Sequence, residues 1–131
     1  MPYLFDHLDS IKELLSLHSL GLITDIDGTI SEIAPSPREA KITPICYYYL
    51  NLLPRYLKLV AVISGRPAAE ARSMLGIDEV VYIGNHGLER WEKGRLILQQ
   101  EAKPYPPLIE AALQQLSPLL AIRGIRFDNK G

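Results

Sequence analysis

Cysteine is nearly absent from this chain: Cys46 stands alone. A single thiol excludes an internal disulfide and a cysteine-built metal site, and it suits a reducing cytoplasm. An excess of either charge is missing too. Fourteen Lys and Arg against 15 Asp and Glu leave a formal net charge of −1. That balance gives no electrostatic basis for holding nucleic acid or an anionic membrane surface. No apolar run approaches the length of a membrane span. The opening Met1-Pro-Tyr-Leu-Phe-Asp-His7 has no basic region leading into an apolar stretch, so a secretory signal is not expected. A cytoplasmic protein is the expectation. What is present is ordinary globular material: 47% hydrophobic residues in 131, enough for one core, in one domain or one domain plus part of another. There is no internal repeat and no low-complexity segment.

Leu4, Leu8, Ile11 and Leu15 recur at helical spacing, which predicts an amphipathic helix over residues 3 to 17. A first strand is predicted over 20 to 26, then a loop opposed to regular structure by Pro35 and Pro37. Thr43 and Pro44 form a helix start, a hydroxyl at the cap and proline in the first turn. That helix runs to Leu53. A second strand over 57 to 63 ends at Ser64-Gly65-Arg66-Pro67, where Ser64 is placed to cap a helix over 67 to 75 closed by Gly76. Val80 to Ile83 reads as a third strand, ending at Gly84-Asn85-His86-Gly87. Strand, helix, strand, helix, strand, with strands too apolar to be solvated on one side, predicts an α/β fold. It would be a Rossmann-like parallel sheet with helices on both faces. Beyond Gly87, a hairpin turning at Lys93-Gly94, a helix over 107 to 120 and a strand over 122 to 127 are predicted.

Asp25 and Asp27 are the chemically costly feature. Two carboxylates one residue apart at a strand end raise each other's pKa unless a cation lies between them. They point to a divalent metal, covalent carboxylate chemistry, or both. An Asp-Gly turn alone accounts for Asp27-Gly28 but not for a second carboxylate leaving an apolar strand. One aspartate would attack phosphorus and the other serve as general acid and base, while a magnesium ion offsets the charge. Gly28 would let the backbone turn so that amide N–H groups face phosphate oxygens. In parallel sheets ligands gather beyond the carboxyl ends of the strands. Three polar clusters stand there: Asp25/Asp27, Ser64/Arg66 and Asn85/His86/Glu89. Among the remaining residues, Tyr47, Tyr48 and Tyr49 share one helix and at least one is expected in the core. Trp91 is expected to pack the hairpin, Cys46 to be a small buried hydrophobe, and His7 and His18 to be surface or capping residues.

Asp25-Ile-Asp27-Gly28-Thr29-Ile30 resembles the first motif of the haloacid-dehalogenase-like hydrolase superfamily. Val62-Ile-Ser64-Gly65-Arg66 resembles the second motif of its trehalose-6-phosphate phosphatase branch. Gly84-Asn85-His86-Gly87-Leu88-Glu89 is similar to that branch's Gly-x-His-Gly segment, and Asp128-Asn-Lys130-Gly131 to a segment near the start of its cap. The resemblance implies a magnesium-dependent phosphatase acting on a sugar phosphate through an aspartyl-phosphate. Asp25 would be nucleophile and metal ligand. Asp27 would be the acid/base, its backbone carbonyl also on the metal. Thr29 would assist the first-motif loop with Gly28, and Ser64 with Gly65 would hold the transferring phosphoryl group. Arg66 would reach substrate or pair with a carboxylate; His86 would contact a sugar hydroxyl or satisfy loop backbone; Glu89 would bind substrate or face solvent. Residues 1–87 would form the first part of the core and 88–131 the hairpin and start of a cap. The superfamily's later lysine and paired acidic motif have no counterpart here, so the chain is expected to resemble the front of the enzyme and to be a poor catalyst alone. Self-association through exposed sheet edges is a further expectation. Two alternatives stay open: a phosphatase or phosphomutase for another sugar phosphate, and a non-catalytic module.

Overall fold

The computed structural model describes residues 19–125 and 127–129, together with positions 6, 9, 12, 13 and 16. The helix expected over residues 3 to 17 lies largely outside the described residues, as do His7, His18, Arg126, Lys130 and Gly131.

Short β-branched runs become strands β1 (Gly21–Asp25), β2 (Leu59–Ile63) and β3 (Val81–Gly84), joined through helices α1 (Pro44–Leu52) and α2 (Ala68–Leu75). The three strands are parallel, with Leu22 opposite Val60 and Val62 opposite Tyr82. The chain then reverses. β4 (Glu89–Glu92) pairs antiparallel with β3, and β5 (Arg95–Leu98) antiparallel with β4. Between β4 and β5, Lys93 and Gly94 take φ of 50° and 76°. Two successive positive φ values give the tight turn whose twist matches that of the strands. One five-stranded sheet results, its spatial order the same as its chain order. The α/β parallel sheet and the hairpin are as expected, and the boundary anticipated at 87/88 falls inside this continuous sheet. A last helix, α3 (Tyr105–Leu119), begins among Pro104, Pro106 and Pro107 and buries none of its residues.

Strand alternation puts Leu22, Val60, Val62, Tyr82 and Trp91 on one face. There they meet Leu50 of α1, Ala68, Ala71 and Leu75 of α2, and Ile26 and Ile30 from the loop after β1. Ala68, Ala71 and Leu75 recur at helical spacing, so α2 lays one small-residue stripe on the sheet. Tyr82 is fully buried; its hydroxyl donates to the Ile77 carbonyl at 2.7 Å and accepts the Ile77 N–H at 3.1 Å. Burial raises the Tyr82 phenol above its ordinary pKa. The other face of β1 and β2 is partly open, with Ile23, Leu59 and Ile63 at 59, 41 and 39% exposure. The buried residues of α1 and α2 all belong to the first face, so helices on both faces are not seen among the described residues.

Four expectations are corrected. Tyr47, Tyr48 and Tyr49 are all exposed, because Leu50 is the residue α1 turns inward. Thr43 takes the cap position of α1, but its hydroxyl makes no cap bond and is buried without a partner among the described residues. Ser64 does not cap α2: its Oγ accepts the Arg66 N–H at 3.1 Å, before the helix begins. Residues 122 to 125 turn at Gly124, φ 97°, with the Ile125 N–H on the Ile122 carbonyl, which breaks the expected strand.

The closest backbone approach is at Gly84. A Cβ there would lie 2.2 Å from the Ala68 nitrogen and 2.8 Å from the Arg66 carbonyl oxygen, both main-chain atoms. At Gly76, φ 68°, a Cβ meets open space and the cost is conformational alone. Gly84→Ala is therefore expected to lower stability by about 3 kcal/mol or more. Gly76→Ala should cost about 1 kcal/mol. Urea unfolding of the two variants checks the ranking.

Candidate active site

β1 runs Gly-Leu-Ile-Thr before Asp25, its last residue, and Ile26 then turns fully inward. The Ile26 carbonyl accepts N–H groups from Thr29, Ile30 and Ser31 at 3.2, 3.1 and 3.0 Å. Gly28 makes the reversal at φ 85°, and its own N–H donates to the Ser31 carbonyl at 3.0 Å. The amide hydrogens of Gly28 and Thr29 are thus engaged within the loop. Asp25 and Asp27 both reach the surface.

At the end of β2, Ser64 is buried and its N–H donates to the Ile83 carbonyl at 2.9 Å. The third strand end returns the connection: the Asn85 N–H reaches the Arg66 carbonyl at 2.9 Å and the His86 N–H the Ser64 carbonyl at 3.2 Å. Asn85, His86 and Gly87 have φ of 47°, 57° and 99°. Two of these are side-chain-bearing residues in the left-handed region, which is sparsely populated and concentrates at functional sites. The turn lays the His86 imidazole against Gly65, where a Cβ would come within 2.7 Å of Cε1. Glu89 is buried rather than facing solvent, and its Oε1 accepts the Ala68 N–H at 2.5 Å. A carboxylate there satisfies an orphan amide at the positive end of α2.

Arg66 joins these pieces. Its side chain is 8% exposed. Nε and Nη2 donate to the two Asp27 oxygens at 2.9 and 2.7 Å, and Nη1 to Glu70 Oε1 at 2.5 Å. Of the two roles open to Arg66, the structure shows the carboxylate pairing. These bonds hold the Asp27 carboxyl below its usual 3.8, against an opposing push from burial. The two carboxylates hold the Arg66 guanidinium charged more firmly than usual.

An open cleft of ≈ 630 Å³ lies beside this group. Asp27, Gly65 and Arg66 line it, joined by Ser36, Arg38, Glu70, Asp128 and Asn129. Asp25, Gly28, Thr29, Ser64, His86 and Glu89 sit at the same strand ends without forming its wall. Glu70 was missed in the sequence although it follows Arg66 by four residues, the spacing at which helical side chains meet. Ser36 and Arg38 lie in a proline loop with no periodic signal; Ser36 Oγ bonds Glu39 at 2.5 Å.

For a metal, this chain offers the Asp25 carboxylate and the Asp27 carbonyl, oxygen donors of the type a hard cation takes. No group of three or more His, Cys, Asp or Glu able to hold a metal occurs among the described residues. The donors suit magnesium in kind and fall short in number. No helix of the described residues is long and apolar enough to cross a membrane.

A family model described as trehalose-phosphatase matches residues 23–130. A trehalose-phosphate phosphatase of Mycobacterium leprae is 32% identical over 108 residues, covering 81% of this chain and 25% of that protein. Among solved structures, a trehalose-6-phosphate phosphatase related protein superposes with a TM-score of 0.72 at 17% identity, over 85% of this chain and 48% of that one. The C-terminal domain of a C. albicans trehalose-6-phosphate phosphatase gives 0.69 at 20% identity, over 94% and 42%. The fold is the one those trehalose-6-phosphate phosphatase structures share, represented in part. Within it, the chain belongs to the trehalose-phosphatase family. It spans about a quarter of the length of that mycobacterial relative.

Two outcomes follow from these contacts. Because the folded-state pKa of Asp27 is depressed, its pair with Arg66 contributes stability fully above the unfolded value, and that contribution is lost as pH falls through the folded value. In urea titrations, the stability gap between the native chain and Asp27→Asn should therefore narrow below about pH 4. A gap independent of pH would contradict the pairing. Separately, Gly65→Ala should cost about 1 kcal/mol by displacing the His86 ring, and that cost should vanish in a His86→Ala background, measured as a double-mutant cycle.

Proposed function

We propose that this chain carries the nucleophile half of a phosphomonoesterase site, acting on a sugar phosphate, with trehalose 6-phosphate as substrate. The observation that supports the reading most is Asp25, exposed at the end of β1, two residues before an Asp27 carboxylate fixed by Arg66. Asp25 attacks phosphorus, the ester oxygen leaves, and an aspartyl-phosphate forms. Asp27 protonates the leaving oxygen and then takes a proton from the water that hydrolyses the intermediate. Paired with Arg66, Asp27 rests ionised, the form the water step needs. The leaving-group step needs the carboxyl protonated and swung off Arg66. Ser64 and Gly65 border the phosphoryl position, with Gly28 and Thr29 shaping the opposite loop. His86 and Glu89 belong to the substrate side, Glu89 by fixing the first turn of α2. Asp25 and the Asp27 carbonyl would hold part of a magnesium shell, and the ion would there neutralise phosphoryl charge.

The remaining cationic and acidic groups of such a site come from outside these residues, and rate depends steeply on them. The partly open face of β1 and β2 and the edge of β1, unpaired among the described residues, suit association with further chain, of this or another copy. Phosphate release across a panel of sugar phosphates, with magnesium or EDTA, tests the reading. The expected result is slow, magnesium-dependent release, well under the typical ~10 per second, that favours trehalose 6-phosphate and disappears in Asp25→Asn. Preference for a different sugar phosphate would reassign the substrate. Release unaffected by Asp25→Asn would remove the catalytic reading and leave a non-catalytic module.

A further inference from the structure

Arg66 donates to two carboxylates that differ in place. Asp27 lies on the loop after β1, while Glu70 lies in the first turn of α2, four residues beyond Arg66 itself. The Glu70 bond is therefore local, on a helix whose first turn is pinned from below by Glu89 and whose stripe is buried. The Asp27 bonds reach across 39 positions of sequence. An arginine has a long flexible stem, and a single planar partner that moves would take the guanidinium with it. A second acceptor fixed to the helix prevents that.

We infer that Glu70 is a positioning residue: by holding Nη1 it keeps the Arg66 guanidinium in one place, so that the Asp27 carboxylate has a fixed seat to leave and return to. The inference rests on the reading of Asp27 as acid/base for its meaning in the reaction, but the contact it describes is measurable without turnover. With Glu70 in place, Arg66 presents Nε and Nη2 in the plane that a carboxylate grips with both oxygens. Without it, the buried head retains one partner, set in a loop; Glu70 is as exposed as Asp27, at 44% against 43%, but stands on the helix.

The test is hydrogen exchange of the Arg66 Nε–H in the 15N-labelled chain, its resonance assigned by its loss in Arg66→Lys. Glu70→Ala should accelerate that exchange by about tenfold or more, with backbone amides of β2 unchanged. Glu70→Gln, which keeps an oxygen acceptor for Nη1, should restore most of the protection. Unchanged exchange in Glu70→Ala overturns the inference. Equal acceleration in the Ala and Gln variants also overturns it, since charge balance rather than a seated hydrogen bond would then be at work. If Glu70→Ala does not fold, Glu70→Asp decides: withdrawing the carboxylate by one methylene must raise the exchange rate, and an unchanged rate refutes the role. None of these readouts depends on phosphate release, so the phosphatase reading can fail without this one, and the reverse.

Discussion

A guanidinium taken out of water has to be met by anions in a plane that fits it, and at Arg66 that requirement organises the molecule's functional end. The side chain ties the loop after β1 to the start of α2 through Asp27 and Glu70. Its backbone closes the circuit, the N–H on Ser64 and the carbonyl receiving Asn85 from the third strand end. Leaving one of these carboxylates out would strand charge in a poorly solvated place, which is why ion pairs of this kind are hard to dismantle piecemeal. Three loops that belong to different strands are thereby held as one object.

That object could not assemble without very small residues. Gly84 lets the third strand end pass against the Ala68 amide, and Gly65 leaves room for the His86 ring. Ala68 and Ala71 bring α2 down on the sheet, which in turn carries Arg66 and Glu70 to the cleft. Glu89 locks the same helix from the hairpin side. Packing and chemistry share residues here: the stripe that fills the core also aims the charged groups. The left-handed Asn85 and His86 are held by this stitching, with their N–H groups placed on the two neighbouring carbonyls.

Much of this was legible in the chain. The apolar runs of β1, β2 and β3 announce parallel strands, and Lys93-Gly94 announces the hairpin turn, because each is a local signal. Asp25 and Asp27 were legible as chemistry because two like charges at a strand end demand a reason. The misreadings share a cause of another kind. Ser64 and Thr43 look like caps, yet the Ser64 hydroxyl serves its own loop and Glu89, 21 residues beyond Ala68, supplies the cap of α2. Such a partner is fixed by sheet pairing that no local pattern encodes. Arg66 and Asp27 meet across a similar gulf. The tyrosines of α1 failed for a simpler reason: aromatic residues are often interior, but one turn of helix has one inward position, and Leu50 holds it.

The order of the sheet has a consequence for how the protein comes into being. Strands β1 to β5 lie side by side in the sequence in which they are synthesised. Among the described strands, each one leaving the ribosome meets its partner already made, and no slot has to be held open between two earlier ones. The antiparallel pairings of β3 to β5 are local and quick to form, whereas Gly21 meets Leu59 and Ala61 meets Val81 only across long crossovers, the slower kind of pairing. The Arg66 cluster of the candidate site is built in the same progression. Asp27 emerges first and waits, Arg66 arrives with β2 to claim it, and β3 then closes the loop over both.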